Sequence, residues 1–392
     1  MSMILENATL LTPTEVLEHV TVVISDEGKI ANIGPDQAIG FPDMQVIDVS
    51  GSMVIPGLID LHVHGGFGLT FGDGEAQSVL ENYSRRVVSS GVTGFLCTLI
   101  APDPGTLCKL IQAHVDIIEK GLPGAECLGL HLEGPFLNPE KKGAFNPSWL
   151  RLPNMEEARA FLKAGRGWIR QITMAPEMDD AARVASLFQK DGVVVALGHS
   201  NAAYELASNA LQHPFTHVTH AFNAQRGFDH REPGVIGAVL ASEQATAELI
   251  ADLIHVHPAA IKVLVRCLGT DRVVLITDAM SGAGLPDGIY RLMGYRIMVR
   301  GGKATLEDGT LAGSTARLNQ CVRNMHKEIG LPLGDAVKMA SLNPARVINH
   351  HHRVGRIAVG MDANLVVIDQ DVQVLMTIVR GKIIHNLLGE AQ

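Results

Sequence analysis

The feature that most constrains the fold of this 392-residue chain is a repeated unit, in which an apolar run is followed by a stretch with helical patterning. The runs start roughly 20 to 45 residues apart, which is the room that one strand, one helix and their loops require. Eight such runs occur, over residues 53–65, 91–100, 126–134, 169–177, 193–200, 216–224, 247–256 and 272–280. Near-continuous apolar runs are typical of parallel strands that are buried on both faces. Eight units favour a closed (β/α)8 barrel, with a doubly wound open sheet as the alternative.

The two ends of the chain have a different pattern, in which short β-type runs alternate with turns. Residues 1–52 and 349–392 each contain too little of this pattern to form a stable sheet alone. We therefore predict an α/β protein: a TIM-like barrel over 53–348 and a small β-sandwich domain that both termini form together. A glycine-rich β-type segment near 283–316 interrupts the barrel pattern and is interpreted as a hairpin insertion near the active face.

Charge and cysteine content narrow the partners and the location of the protein. The formal net charge of −9 is spread along the chain, so nothing electrostatic favours nucleic acid or an anionic membrane as a partner. No apolar run approaches the ~18 residues of a membrane span, and the N-terminus lacks the pattern of a signal peptide. The five cysteines show no C-x-x-C spacing and are typical of a reducing compartment. We predict a cytoplasmic protein.

Metal-binding side chains occur at the carboxyl ends of several of the apolar runs. His62 and His64 are two residues apart, and side chains at i and i+2 of a strand point to the same side. The third, fifth, sixth and eighth runs end with Glu133, His199, His220 and Asp278. In a barrel these ends form the rim where active sites lie. Imidazole and carboxylate groups suit zinc and similar divalent ions, and burying so many ionisable groups without a cation would be unfavourable.

Each of these residues alone has a structural explanation, because a single histidine at a strand end is more often a hydrogen-bonded core residue than a ligand. The prediction of a metal centre depends on all six lying at one end of the barrel. His131 and Asp60 precede Glu133 and His62 by two residues, so each is predicted to support its neighbour from deeper in the barrel. The run of three histidines at 350–352 is interpreted as a solvated turn.

Motifs along nearly the whole chain then point to a family. They are PGLIDLHVHGG (56–66), HLEGPFLNPEKKGA (131–144), GHS (198–200), THAFNA (219–224), REPG (231–234), ADLIHVHP (251–258), TDAM (277–280), LAGS (311–314) and NPAR (343–346). By these motifs the chain resembles the amidohydrolase superfamily and, within it, the N-acetylglucosamine-6-phosphate deacetylase family. The fourth run holds no lysine of the kind that many other amidohydrolases use, whereas the third supplies Glu133, as in this branch.

The resemblance implies a role for each matching residue. Glu133, His199 and His220 would hold the principal metal. His62 and His64 leave room for a second ion, with Glu133 as a possible bridge. The cofactor would be one or two divalent ions per subunit, Zn2+ or Fe2+ in the first place, with Mn2+ or Co2+ as alternatives.

The implied partner is a small phosphorylated amino sugar. Its phosphate would be held by Asn223 and Ala224 through their backbone, by Arg231 and by His255. The sugar pocket would be lined by Ala144, Leu311, Ala312 and Gly313. In the family the counterpart of Arg231 can serve the neighbouring subunit's site, which implies a homodimer.

The expected reaction is metal-dependent hydrolysis of the acetamide of N-acetylglucosamine 6-phosphate, which yields glucosamine 6-phosphate and acetate. Asp278 would be the catalytic proton shuttle, taking a proton from the attacking water and passing it to the departing amine.

One departure from the family pattern keeps other substrates open. The family usually has K-G-x-H-N-P, whereas this chain has Phe145 at the position of the histidine. A phenylalanine can neither donate a hydrogen bond nor carry a proton. The alternatives are another N-acetyl-hexosamine phosphate, such as N-acetylgalactosamine 6-phosphate, or another amidohydrolase reaction on a cyclic amide or imide. A non-enzyme assembly protein is a further alternative, but it would be expected to have lost the ligands that this chain retains.

Overall fold

The computed structural model describes residues 2–12, 15–35 and 44–388. Within these ranges the chain forms 21 strands and 10 α-helices, numbered along the chain. The strands are β1 (Met3–Leu11), β2 (Val16–Ile24), β3 (Ile30–Pro35), β4 (Gln45–Asp48), β5 (Met53–Pro56), β6 (Leu58–Asp60), β7 (Gly65–Gly66), β8 (Leu69–Thr70), β9 (Val92–Leu99), β10 (Glu126–Glu133), β11 (Ile169–Met174), β12 (Val194–Leu197), β13 (His217–Val218), β14 (Thr246–Ile250), β15 (Val273–Ile276), β16 (Gly288–Leu292), β17 (Tyr295–Arg300), β18 (Lys303–Thr305), β19 (Leu365–Ile368), β20 (Val374–Val379) and β21 (Lys382–Asn386). The helices are α1 (Ala76–Val87), α2 (Pro104–Ile118), α3 (Met155–Gly165), α4 (Ala181–Lys190), α5 (Tyr204–Gln212), α6 (Gly234–Ala241), α7 (Pro258–Leu268), α8 (Leu318–Lys327), α9 (Leu333–Met339) and α10 (Leu342–Val347).

Eight parallel strands form the barrel, in the order β6-β9-β10-β11-β12-β13-β14-β15. The predicted apolar runs overlap these strands, and the predicted fold class is confirmed. The first and last strands meet just beyond their ends, where the Asp278 N–H donates to the His62 carbonyl at 2.8 Å. The His64 N–H donates to the Ala279 carbonyl at 2.9 Å. The barrel therefore closes at the rim where the predicted ligands lie.

Both termini contribute to a second sheet, in agreement with the predicted fold class. Its strands run in the order β21-β20-β19-β5-β1-β2-β3, and β4 pairs with β1 beside β5. The sheet encloses an apolar core of its own, which includes Leu5, Ile24, Val54, Leu365 and Ile378. Burial of these side chains joins the two chain ends although they are far apart in sequence.

The run over residues 53–65 was predicted as a single barrel strand, and in this detail the prediction is wrong. Its first part, β5, pairs with β19 in the terminal sheet, and the barrel strand β6 begins only at Leu58. The change of sheet takes place at Gly57. A Cβ atom on Gly57 would lie 2.1 Å from the Thr93 hydroxyl oxygen on β9, so only glycine allows this close approach.

The interruption near 283–316 is a three-stranded antiparallel sheet, β16-β17-β18. The turn between β16 and β17, at Met293 and Gly294, reaches the mouth of the barrel. Three helices, α8 to α10, follow it. The three histidines at 350–352 lie in a turn in which His351 and His352 are exposed. None of the helices in the described ranges has the length and apolar character to cross a membrane.

Candidate active site

The barrel topology places the six predicted ligand side chains at one rim. Glu133 is the last residue of β10, and the others follow the ends of their strands by two residues, or by four for His64. Three of them, His199, His220 and Asp278, have positive φ angles of 48°, 27° and 50°. Residues other than glycine rarely adopt this conformation, and when they do it is often at a functional site. The strand-to-loop turn thus directs each of these side chains into the barrel mouth.

Glu133, His199 and His220 form the first cluster, and all three are buried. The Glu133 Oε1 atom lies 3.1 Å from the Nε2 of His199 and 3.2 Å from the Nε2 of His220. The two Nε2 atoms are 3.1 Å apart. The Nδ1 of His199 lies 2.8 Å from the Lys141 carbonyl, which can only accept a hydrogen bond. Nδ1 therefore carries the proton, and the Nε2 lone pair of His199 faces the cluster.

His62, His64 and Asp278 form a second cluster beside the first. The Asp278 Oδ1 atom lies 3.1 Å from the Nε2 of His64 and 3.5 Å from that of His62. Glu133 faces both clusters, because its Oε1 is 3.4 Å from the His62 Nε2 and its Oε2 is 3.3 Å from the His64 Nε2. The side chain of Asp278 is 13% exposed, so this carboxylate can reach a molecule in the barrel mouth.

Glu248 on β14 is a functional residue that sequence reasoning missed. Its carboxylate is fully buried, and its Oε2 atom lies 3.0 Å from the Nδ1 of His62. The same oxygen accepts the His220 backbone N–H at 3.1 Å, and Oε1 accepts from the Gln171 amide at 2.6 Å. Glu248 therefore contacts one residue of each cluster. The signal for it was a carboxylate inside the apolar run 247–256, a place where an unpaired charge is not stable.

The support predicted for His62 comes from a different residue. Asp60 accepts the backbone N–H of His62 at 3.3 Å and the hydroxyl of Thr277 at 2.6 Å, while the imidazole contact belongs to Glu248. His131 lies deeper in the barrel, as predicted. Its ring nitrogens contact the hydroxyls of Thr98 and Thr173 at 3.2 and 2.8 Å. Asp60 and His131 thus stabilise the barrel beneath the two clusters through hydrogen bonds.

The charges of the two clusters stabilise one another. Burial acts to raise the pKa of Glu133, but the nearby imidazoles, that of His62 first, outweigh it and hold the pKa well below its ordinary value. Burial acts likewise on Asp278, and His62 and His64 lower its pKa. For His62, burial acts to lower the pKa, but the carboxylates of Glu133, Asp278 and Glu248 raise it well above the ordinary value. The protein itself thus favours ionised carboxylates here.

The donor atoms fit a divalent cation. Since Glu248 accepts from the Nδ1 of His62, the neutral ring of His62 would direct its Nε2 lone pair at two carboxylates. That Nε2 has no hydrogen-bond partner among the described residues. Such an arrangement needs positive charge, either as a proton or as a metal ion, and metal ions compete with protons for these atoms. Nitrogen and oxygen donors of this kind suit zinc and the neighbouring first-row ions.

The clusters form the floor of a cavity of about 250 Å³ that opens at the barrel mouth. The predicted substrate residues that line this cavity are Ala144, Asn223, Ala224, His255, Leu311 and Gly313. Asp252 contacts the Nδ1 of His255 at 2.7 Å. Burial acts to lower the pKa of His255, but Asp252 outweighs it and raises the pKa above the ordinary value. His255 therefore favours an anionic ligand in this cavity.

Two predicted substrate residues do not line this cavity. Arg231 is exposed, its backbone N–H donates to Asp229 at 2.9 Å, and its guanidinium forms no salt bridge to a carboxylate of the described residues. Ala312 is fully buried in the small apolar cluster of the β16–β18 insertion. Because Ala312 lies between two lining residues, its side chain points to the opposite side of the extended segment.

Phe145, which departs from the family pattern, lies in the cavity wall and is almost fully buried. Its ring meets the His199 ring edge to face, with centroids 5.2 Å apart. The aromatic contact holds the His199 ring in place without offering a hydrogen bond to a ligand.

The loops that carry these residues are held by Glu177, a partly buried residue that no motif indicated. Its carboxylate accepts from the Asn138 amide at 2.8 Å, from the Ser200 hydroxyl at 2.7 Å and from the Asn201 backbone at 2.6 Å. These hydrogen bonds connect the loop after Glu133 to the loop after His199.

Comparison with known proteins agrees with this geometry. The Amidohydrolase family model matches residues 53–384. The chain is 36% identical to the N-acetylglucosamine-6-phosphate deacetylase of Bacillus subtilis (strain 168), over 97% of both chains. It is 34% identical to the N-acetylgalactosamine-6-phosphate deacetylase of Escherichia coli O157:H7, over 98% of this chain and 99% of that one. A mutant N-acetyl-D-glucosamine-6-phosphate deacetylase from Mycobacterium smegmatis, solved with N-acetyl-D-glucosamine-6-phosphate, superposes with a TM-score of 0.90 at 33% identity, over 98% of this chain and 99% of that one. The chain belongs to the amidohydrolase family, whose members are metal-dependent hydrolases.

Proposed function

We propose that this protein hydrolyses the acetamide bond of N-acetylglucosamine 6-phosphate to glucosamine 6-phosphate and acetate. The observation that carries the proposal is the position of Asp278. Its carboxylate is partly exposed at the floor of the cavity and is 3.1 Å from His64, beside the cluster of Glu133, His199 and His220. The relatives named above, which act on acetylated hexosamine phosphates, support the choice of substrate.

The cofactor in this proposal is a divalent ion at Glu133, His199 and His220, with a second ion at His62, His64 and Asp278. When bound, such an ion acts as a Lewis acid that lowers the pKa of water and polarises a carbonyl oxygen. Zn2+ and Fe2+ suit the donor set best, and Mn2+ and Co2+ also suit it.

The residues of the chain perform the proton transfers and hold the substrate. Asp278 accepts a proton from the attacking water on its carboxylate and delivers it to the amine nitrogen as the C–N bond breaks. Asn223, Ala224 and His255 lie in the cavity wall, where hydrogen bonds and the charge favoured on His255 hold the phosphate. The substrate is thereby oriented with its acetamide group at the floor.

Arg231 is too exposed to serve the cavity of its own chain, so its role in the proposal depends on a second copy. We infer a homodimer in which Arg231 of each subunit completes the phosphate site of its partner. Its planar guanidinium group suits bidentate contact with a phosphate. A cytoplasmic location stays a prediction; the five cysteines are free.

The test is acetate release from N-acetylglucosamine 6-phosphate by the purified protein. We expect activity that a chelator abolishes and that added Zn2+ or Fe2+ restores. Asp278→Asn should keep the ion at Glu133, His199 and His220 and lose about 10²- to 10⁴-fold in kcat, since a proton shuttle contributes about that much. Asp179→Asn, an exposed carboxylate outside the cavity, is the matched control and should keep full activity. A folded protein that binds no metal and releases no acetate would overturn the proposal and favour a non-enzyme role.

N-acetylgalactosamine 6-phosphate is the second candidate substrate, and Phe145 is the observation that favours it. The family histidine is absent from the cavity wall, and one relative at 34% identity is named for this substrate. The two sugars differ only in the orientation of one hydroxyl group. A direct comparison of kcat/KM for both phosphates decides between them, and a tenfold preference for the galactosamine form would replace the first assignment.

A further inference from the structure

A second cavity, of about 230 Å³, is lined by His64 like the cavity described above. His64, Leu292 and Met293 line both cavities, so the two spaces adjoin at the metal-binding clusters. The wall of the second cavity is mostly apolar, with Phe71, Ile100, Leu110, Trp149, Leu292 and Met293 as its main surfaces.

The threonine hydroxyls in this wall are already engaged with the protein, Thr106 with Asp103 at 2.6 Å, and the exposed Asp73 also lines the cavity. The Thr98 hydroxyl accepts the Val63 backbone N–H at 3.0 Å and contacts the ring of His131 at 3.2 Å. The Thr70 hydroxyl donates to the Arg291 carbonyl at 3.4 Å. The cavity therefore offers apolar contact and little hydrogen bonding, which suits a hydrocarbon group.

In the proposed function, the first cavity holds the sugar side of the amide bond that is cleaved, and the second cavity is available to the acyl side. In the proposed function the sugar and its phosphate occupy the first cavity, near Asn223 and His255, and the carbonyl carbon is next to Asp278. The acyl substituent of that carbon extends on the side opposite to the nitrogen. Because His64 of the second cluster lines both cavities, an acyl substituent that extends away from the first cavity would enter the second.

We propose that the second cavity is an acyl subsite, which lets the enzyme hydrolyse hexosamine phosphates whose N-acyl chain is longer than acetyl. This inference rests on the proposed function. A water molecule takes up about 30 Å³ in the liquid, so a cavity of 230 Å³ is far larger than a single methyl group needs. The reaction stays a hydrolysis: water supplies a hydroxyl group to the carbonyl carbon and a proton to the amine, and a longer carboxylic acid leaves in place of acetate.

The first experiment compares N-acetyl, N-propionyl, N-butyryl and N-hexanoyl glucosamine 6-phosphate with the metal-loaded enzyme. Burial of an added methylene is expected to raise kcat/KM by up to about fourfold. We therefore expect the propionyl and butyryl compounds to match or exceed the acetyl compound. A fall of more than about tenfold for each added methylene, typical of a pocket closed behind a methyl group, would overturn the acyl subsite.

The second experiment fills the cavity. Leu110 on α2 lies in its wall and is remote from the first cavity, so Leu110→Trp should lower the ratio of butyryl to acetyl kcat/KM by at least about tenfold, with Leu110→Phe as a milder form should the tryptophan variant not fold. Leu206→Trp, at an exposed position on α5, is the matched control and should leave that ratio unchanged. An unchanged ratio in both Leu110 variants would show that the acyl chain lies elsewhere.

Calorimetric binding to Asp278→Asn separates this inference from the proposed function. Suppose that the wild-type enzyme does not hydrolyse the acetyl compound, but the butyryl compound binds to Asp278→Asn and Leu110→Trp weakens that binding. The proposed function then fails and the subsite stands. If the acetyl compound is hydrolysed and the butyryl compound does not bind, the subsite alone fails. Binding of neither compound would overturn both.

Discussion

The substitution that tests the site most directly is Glu248→Gln. It keeps the shape of the side chain but replaces a buried carboxylate by a neutral amide. The carboxylate accepts three hydrogen bonds, from His62, from the His220 backbone and from Gln171, at 3.0, 3.1 and 2.6 Å. Rotation of the Gln171 amide would let it accept from the new NH2 group, so that all three partners can still be satisfied. The variant should therefore fold.

The expected magnitude follows from the change in charge. A hydrogen bond to a charged group contributes about 1.5–3 kcal/mol and one between neutral groups about 0.5–1.5 kcal/mol. Two of the three bonds, to His62 and to the His220 backbone, orient proposed metal ligands. The stabilisation from each of these two hydrogen bonds should fall by about 1 kcal/mol, or by about 2 kcal/mol together. This corresponds to a loss of about 30-fold in metal affinity, within the range of about 10- to 100-fold that such supporting contacts show.

The assay is a competition titration of the metal-free protein with Zn2+ and a chromogenic chelator, which yields a dissociation constant for each ion. We expect the product of the two dissociation constants to rise about 30-fold, with the larger share at the ion of His62, His64 and Asp278, because Glu248 contacts a ligand side chain there. The affinity for the principal ion, at Glu133, His199 and His220, should fall less, because Glu248 contacts only the backbone N–H of His220. Glu243→Gln, at an exposed position shortly before β14, is the control. Equal constants for the wild type and Glu248→Gln, within twofold, would refute the reasoning.

Three further predictions concern separate parts of the molecule. Phe145→His restores a hydrogen-bond donor at the cavity wall and should raise kcat on N-acetylglucosamine 6-phosphate by about tenfold or more; Phe145→Leu, which adds no donor, should not, and equal rates in both variants would exclude this role. Arg231→Ala should raise KM for the phosphorylated sugar much more than for the unphosphorylated one, and an equal effect on both would contradict the phosphate contact. Gly57→Ala places a methyl group 2.1 Å from the Thr93 hydroxyl and should lower the free energy of unfolding by about 1–3 kcal/mol in denaturant titrations, whereas Gly227→Ala, where the methyl group meets open space, should not.

The sequence alone was sufficient to predict the barrel and the residues of the two clusters. Parallel strands of a barrel share one direction, so residues at their carboxyl ends must meet at one rim whatever the details of packing. The position of Glu133 at the end of one apolar run and of Asp278 at the end of another therefore determined that they lie close together. The terminal sheet followed in the same way from two β-patterned ends that could not be stable apart.

Only the tertiary structure decided which groups support the clusters and what lies beside them. Glu248 contacts Gln171 on β11 and two histidines beyond the ends of β6 and β13, and no spacing along the chain relates it to His62 or Gln171. The break at Gly57 depends on a contact with Thr93 on a neighbouring strand. The second cavity is lined by segments as distant in sequence as Phe71 and Met293. Local patterns determine the direction of a strand and the residue at its end, whereas distances between side chains of different strands arise only when the barrel closes and its core packs.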